Sequence, residues 1–276
     1  LALAGFSALG GLLWSNRALE QFAATPFGSQ SEKVVEIPPG TGMTQVARLL
    51  AEAGVVSDAS QFFRIARRLQ MDRRIMAGEY GFRGELLPAQ VLEQLAQGKV
   101  KLYNCTVPEG LRADEIALVL ERCGLASAEA LRRLVRDPAF VKKAGLPAAA
   151  SLEGYLFPDT YAFPKGARPD QLLLKMVGRH LEEYRKADGR RKAGVALSAH
   201  QAVTLASLIE KETGVREEQP HLSCVFHNRL RRGLSLEAGA RPRAGAQEAR
   251  WAEGLPPAPV ANAGAGALRA ALDPAD

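Results

Sequence analysis

The sequence predicts an α+β protein, and three observations carry that reading. A strand-and-helix segment occurs twice at an offset of 70 residues. A strand, turn and helix pattern, Gly78 to Phe82, Pro88 and then Gln90 to Gln97, lies between the copies. Beyond Ser151 an aromatic and Pro-rich stretch, SLEGYLFPDTYAFPKG, reads as extended and is followed by longer helical segments.

The N-terminal LALAGFSALGGLLW is an almost uninterrupted apolar run of about 14 residues, short of the ~20 that span a bilayer. A truncated transmembrane helix, a signal-peptide core and a buried helix are the competing readings. The truncated anchor is preferred, over residues 1–16, because no small-residue cleavage site follows cleanly. Residues 17–33, polar from Thr25 to Lys33, then read as a linker. An exported chain held by one span in the bacterial inner (cytoplasmic) membrane is the expectation.

The repeat occupies residues 34–150. IPPGTGMTQVARLLAEAGVVS from Ile37 aligns without gaps to VPEGLRADEIALVLERCGLAS from Val107. Pro38 and Gly40 match Pro108 and Gly110; Val46, Ala47 and Leu50 match Ile116, Ala117 and Leu120; Gly54 and Ser57 match Gly124 and Ser127. Each copy reads as a short strand, a Pro/Gly turn, an amphipathic helix, a Gly stop and a capped second helix. Two such units around a shared small sheet resemble LysM-like carbohydrate-binding modules; a duplicated packing unit without a ligand is the other reading.

Residues 151–276 form the rest. A helix is expected from about Pro169 to Lys186, and another from Ser198, whose hydroxyl is a suitable cap. On that helix Ala202, Leu205, Ala206 and Ile209 make an apolar stripe, with Thr204, Ser207 and Lys211 expected towards solvent. Glu210 and Glu212 then border the stripe on opposite sides, because two residues advance about 200° around a helix. A border position is partly desolvated, which raises a carboxyl pKa towards the range of a general acid. Periodicity does not choose between the two, nor between either of them and an ordinary helix-edge carboxylate.

Composition excludes several classes. The net charge of +6 comes from 36 Lys and Arg against 30 Asp and Glu, scattered without interleaved aromatic residues, so nucleic acid is not an expected partner. Cys105, Cys123 and Cys224 are three, widely spaced, and read as small buried side chains; they and His200, His221 and His227 lack metal-ligand spacing, so no metal is assigned. A pyridoxal-phosphate lyase is disfavoured because no phosphate-cradling Gly-rich turn stands near a candidate Schiff-base lysine, and no cofactor is implied.

Four motifs in order, LEGYLFPDTYAFPKG, LASLIEKETGV, VFHNRLRRGLSLE and GLPPAPVANAG, resemble those of the endolytic murein transglycosylase family, also called YceG-like. The resemblance implies a lytic transglycosylase that cuts the MurNAc–GlcNAc β-1,4 bond within peptidoglycan glycan strands and leaves 1,6-anhydroMurNAc ends. It assigns the catalytic acid to the first Glu of the Glu-Lys-Glu motif, Glu210. Glu153, Glu212 and Asn228 match positions near the cleft, for binding substrate or holding the acid in place. Glycan strands, and through the family cell-wall synthases, are the implied partners.

The sequence departs from the family pattern after Leu236. Gly239-Ala240-Arg241 and Glu248-Ala249-Arg250 stand where Asp-Pro-Thr and Asn-Thr-Tyr are usual, in a segment poor in core-forming residues. The sequence then stops at Ala271-Leu272-Asp273-Pro274-Ala275-Asp276, where the family pattern continues with an aromatic-rich extended segment, so the catalytic domain, 151–276, is expected to be incomplete at its C-terminus. The alternative function is a catalytically impaired glycan-binding or scaffold protein of cell-wall synthesis.

Overall fold

In a computed structural model of the chain, residues 17–234, 236 and 254–275 are described. The two repeat copies adopt the same elements. In the first, strand β1 (Phe27–Ile37) leads through Gly40 to helices α2 (Met43–Glu52) and α3 (Ala59–Arg68), behind a helix α1 described over 17–24. In the second, β3 (Leu102–Thr106) leads through Gly110 to α5 (Ala113–Arg122) and α6 (Ala128–Val135). Gly40 and Gly110 have φ of 79° and 76°, a left-handed turn that favours glycine, and so account for the match at that position. Met43, Val46, Ala47 and Leu50 are buried in one copy, and Ala113, Ile116, Ala117 and Leu120 in the other. Asp58 and Ser127 cap the second helices by accepting from Gln61 and Ala130 backbone N–H.

The chain forms two compact units, to Leu102 and from Tyr103. In the first, β1 pairs antiparallel with β2 (Gly78–Leu86), from Phe27 opposite Leu86 to Ile37 opposite Gly78, with an irregularity between Ser29 and Lys33. α2, α3 and α4 (Pro88–Ala96) cover the core around Tyr80, Phe62, Leu50, Leu92 and Leu95. The linker expected over 17–33 is thus helix followed by strand. Its polar composition suits the exposed part of a two-stranded sheet, where only Val35 and Ile37 of β1 are buried.

In the second unit β3 pairs with β4 (Thr160–Pro164), not with the first copy's strand, so the repeats do not share a sheet. The unit continues with α7 (Pro138–Lys143), α8 (Pro169–Asp188), α9 (Ala199–Glu212), α10 (Gln219–Arg231) and α11 (Ala265–Leu272). One core runs from Cys105 to Leu272, and residue 150, the expected domain boundary, lies inside this unit. Cys105 and Cys123 form a disulfide with Cα atoms 6.0 Å apart, tying β3 to the end of α5. Reading the three cysteines as small buried side chains is corrected for this pair, which is bonded and of which Cys105 is buried and Cys123 exposed; Cys224 is a free thiol.

The expected placement as a single-pass inner-membrane protein is corrected: among the described residues no helix is long and apolar enough to cross a membrane. The apolar run and anchor expected over 1–16 lie outside the described residues, and α1, just after it, turns Leu19 and Phe22 into the first unit's core. The divergent segment 237–250 also lies outside them.

Candidate active site

α9 supplies the centre of the site because it is buried almost all round. Ser198 and Gln201 form a reciprocal cap, Gln201 N–H donating to Ser198 Oγ at 3.2 Å and Ser198 N–H to Gln201 Oε1 at 2.9 Å. Every residue from Ala202 to Ile209 is buried. Thr204 and Ser207, expected towards solvent, are therefore inside. Their hydroxyls donate to the His200 carbonyl at 2.8 Å and the Thr204 carbonyl at 2.7 Å, which satisfies them locally. Ser207 also accepts from Val260 N–H at 3.0 Å, so a polar residue in the apolar helix is where the Pro-rich segment docks.

That segment, from Gly254 to Gly264, is fixed along α9 at several points. His200 Nε2 lies 2.8 Å from the Pro257 carbonyl and Nδ1 2.6 Å from Tyr155 Oη. A carbonyl only accepts, so Nε2 carries the proton and Nδ1 accepts from the tyrosine. Burial pushes the Tyr155 phenol up to about 12, consistent with its role as donor.

Asn262 is fully buried and has partners for all of its polar groups. Its Nδ2 donates to the Leu111 carbonyl and to Glu153 Oε1, each at 3.0 Å, and its Oδ1 accepts from Leu156 N–H at 2.8 Å. Its backbone N–H donates to Leu111 and its carbonyl accepts from Gly110 N–H. Glu153 in turn accepts from Ala113 N–H, the first residue of α5, with both oxygens at 3.1 Å. Its carboxyl is raised from the ordinary range, chiefly by burial and against the pull of the Ala113 N–H.

Two residues beyond Asn262, Gly264 N–H donates to Glu210 Oε2 at 3.0 Å. Glu210 is half-buried at the end of α9, and burial is the first cause that raises its carboxyl pKa. The neighbouring Glu109 charge raises it further, while the Gly264 N–H, Arg216 and Lys211 act in the opposite direction. The Glu109 carboxylate lies against the Gly264 backbone, where a Cβ would not fit, and pairs with Arg216 at 3.5 Å. The carboxyl group can thus hold a proton at a partly dry position and release it to an acceptor in front of it.

Of the four expected site residues, the structure brings Glu210 and Glu153 into one bonded group through Asn262 and Gly264. Glu153 faces inward, its oxygens committed to the joint. Glu212 ends α9, part-buried, two residues past Glu210. Asn228 is on α10, where its Oδ1 accepts from Arg231 at 2.6 Å. It lines a separate groove of about 550 Å³ between α10, residues 192–197 and Pro274, which Glu210 does not line. Sequence reasoning missed Glu109, Asn262 and Ser207. Asn262 stands in the Gly-Leu-Pro-Pro motif, and Glu109 stands where the first copy has Pro39, so both had a visible signal.

The comparisons with known proteins agree in direction. The family model described as the YceG-like family matches residues 35–241. A Streptococcus pneumoniae (serotype 2, strain D39) protein named endolytic murein transglycosylase is 27% identical over 243 residues, covering 77% of this chain and 43% of that protein. A Bacillus subtilis (strain 168) protein of the same name is 25% identical over 275 residues, covering 87% of this chain and 75% of the other. The chain spans less than half the length of the pneumococcal relative. The crystal structure of a protein described as yceG-like from Listeria monocytogenes aligns with a TM-score of 0.54 at 25% identity, over 90% of this chain and 92% of that one.

Proposed function

The chain belongs to the YceG-like family, and from that premise we propose that it is an endolytic lytic transglycosylase of peptidoglycan with Glu210 as its catalytic acid and base. The observation that carries the reading is the Glu210 carboxyl: half-buried, oriented by one N–H on Oε2, with its proton favoured by burial. The names of the relatives support a murein transglycosylase.

In this reading the protonated Glu210 donates to the glycosidic oxygen between MurNAc C1 and GlcNAc O4, and that bond breaks. The carboxylate left behind takes the proton of the MurNAc C6 hydroxyl as its oxygen closes on C1. The product is a 1,6-anhydroMurNAc end, no water is consumed, and the enzyme returns to its starting protonation state. A hydrolase with paired carboxylates would need a second group placed to activate water or form a covalent sugar.

Glu153 acts as a positioning residue, since its contacts hold Asn262 and through it Gly264; Glu212 binds substrate beside the acid, and Asn228 does so in its separate groove, away from Glu210. The LysM-like reading makes the repeats a glycan-holding part, the second copy sharing one core with the catalytic helices and bringing the turn at Glu109 to the acid. Cell-wall synthases are the protein partners that the family suggests. Digestion of purified peptidoglycan in water enriched in heavy oxygen tests the reaction type. Anhydro-ended fragments free of solvent oxygen are expected, and reducing ends carrying solvent oxygen would rule the mechanism out.

A further inference from the structure

The two repeat turns read Ile37-Pro38-Pro39-Gly40 and Val107-Pro108-Glu109-Gly110, with nearly the same left-handed glycine. Since Pro39 serves the turn in the first copy, the backbone does not demand a carboxylate at Glu109. Its placement explains it better. The Glu109 carboxylate occupies the space beside Gly264, the residue whose N–H orients Glu210, and leaves no room for a Cβ there. The next residue, Gly110, faces the Glu210 side chain, since a Cβ built on it would lie 3.7 Å from Glu210 Cγ. Glu109 is itself paired with Arg216, from the loop beyond α9.

We propose that Glu109, partnered by Arg216, is a positioning residue of the active site: it sets the charge that Glu210 faces and holds the Gly264 backbone against the Glu210 carboxyl. The proposal rests on the reading of Glu210 as the acid. The charged groups facing Glu210 are Glu109 from the turn before α5, Arg216 from the loop after α9 and Lys211 from its own helix, while the end of the Pro-rich segment, just before α11, contributes the Gly264 N–H. Glu109 favours the protonated acid before bond cleavage. Arg216 and Lys211 favour the carboxylate that follows it, so the pair balances the two protonation states that one carboxyl must alternate between.

The test is a carbon-13 NMR titration of the glutamate carboxyls, with the Glu210 signal identified by its loss in Glu210→Gln. The midpoint of Glu210 is expected to fall in Glu109→Gln and to rise in Arg216→Gln. Glu109→Pro, which restores the first copy's turn, should shift it in the same direction as Glu109→Gln and guards against a folding artefact. Unchanged midpoints in all three folded variants would overturn the proposal. In the pH–rate profile of glycan cleavage, the alkaline limb is expected at lower pH in Glu109→Gln, because the acid loses its proton sooner. Cleavage that persists in Glu210→Gln would instead sink the assignment of the acid, and the titration would still decide the coupling of the two carboxyls.

Discussion

Asn262→Ala removes three side-chain hydrogen bonds at the joint between the Pro-rich segment, the Leu-Glu-Gly loop and the start of α5. The consequences for the three partners differ. The Leu111 carbonyl still accepts from the backbone N–H of residue 262, so it loses little. Glu153 keeps the Ala113 N–H but loses one donor to a half-buried carboxyl. Leu156 N–H is left without its partner in a buried position, and an orphaned buried donor costs about 1–3 kcal/mol. Adding the lost bond to a charged acceptor brings the expected destabilisation to about 3–5 kcal/mol. Asn262→Asp should be worse, because it would place a carboxylate oxygen against Glu153 Oε1 and the Leu111 carbonyl, both acceptors. Urea unfolding followed by circular dichroism, with amide exchange at Leu156 as the local probe, measures both. A loss below about 0.5 kcal/mol in Asn262→Ala, the scale of an ordinary surface substitution, with Leu156 exchange unchanged, would refute the role given to this residue.

Burial lowers His180 to about 4 from 6.5, with its Nδ1 unpartnered between Tyr155 and Tyr184. The unfolded chain then binds the proton first as pH falls, so stability present above about pH 6.5 is lost towards pH 4. The loss amounts to about 3 kcal/mol, and urea midpoints across that range should flatten in His180→Phe. Removing the Cys105–Cys123 disulfide, which closes a loop of 18 residues in sequence separation, is expected to cost about 3 kcal/mol; calorimetry of Cys105→Ala/Cys123→Ala checks it, and an unchanged melting temperature would contradict it.

Much of the local structure was legible in the sequence because it rests on local chemistry. The Ser198 cap, the paired glycines at 40 and 110 and the buried faces of α2 and α5 each follow from a few neighbouring residues. What was not legible depends on contacts far apart in the chain. Thr204 and Ser207 look solvated by type and are buried because α9 is enclosed on all sides, a property of the whole unit. The first part of β1, Phe27 to Lys33, reads as a polar linker because it is not buried and is ordered by pairing with β2, whose residues lie far along the chain, Leu86 opposite Phe27. Cys105 and Cys123 meet only once β3 and α5 have packed. At the site, periodicity set Glu210 and Glu212 level; the Gly264 N–H, brought in from 54 residues away, and the turn at Glu109 and Gly110 separate them.

That separation is the claim most open to a direct measurement. Product release from peptidoglycan by the protein, by Glu210→Gln and by Glu212→Gln should be compared by mass spectrometry of the soluble muropeptides. Anhydro-ended products from the unaltered protein and from Glu212→Gln at reduced rate, with a loss of at least about 100-fold in Glu210→Gln, are expected. Equal release by Glu210→Gln and the unaltered protein would contradict the assignment of Glu210 as the acid.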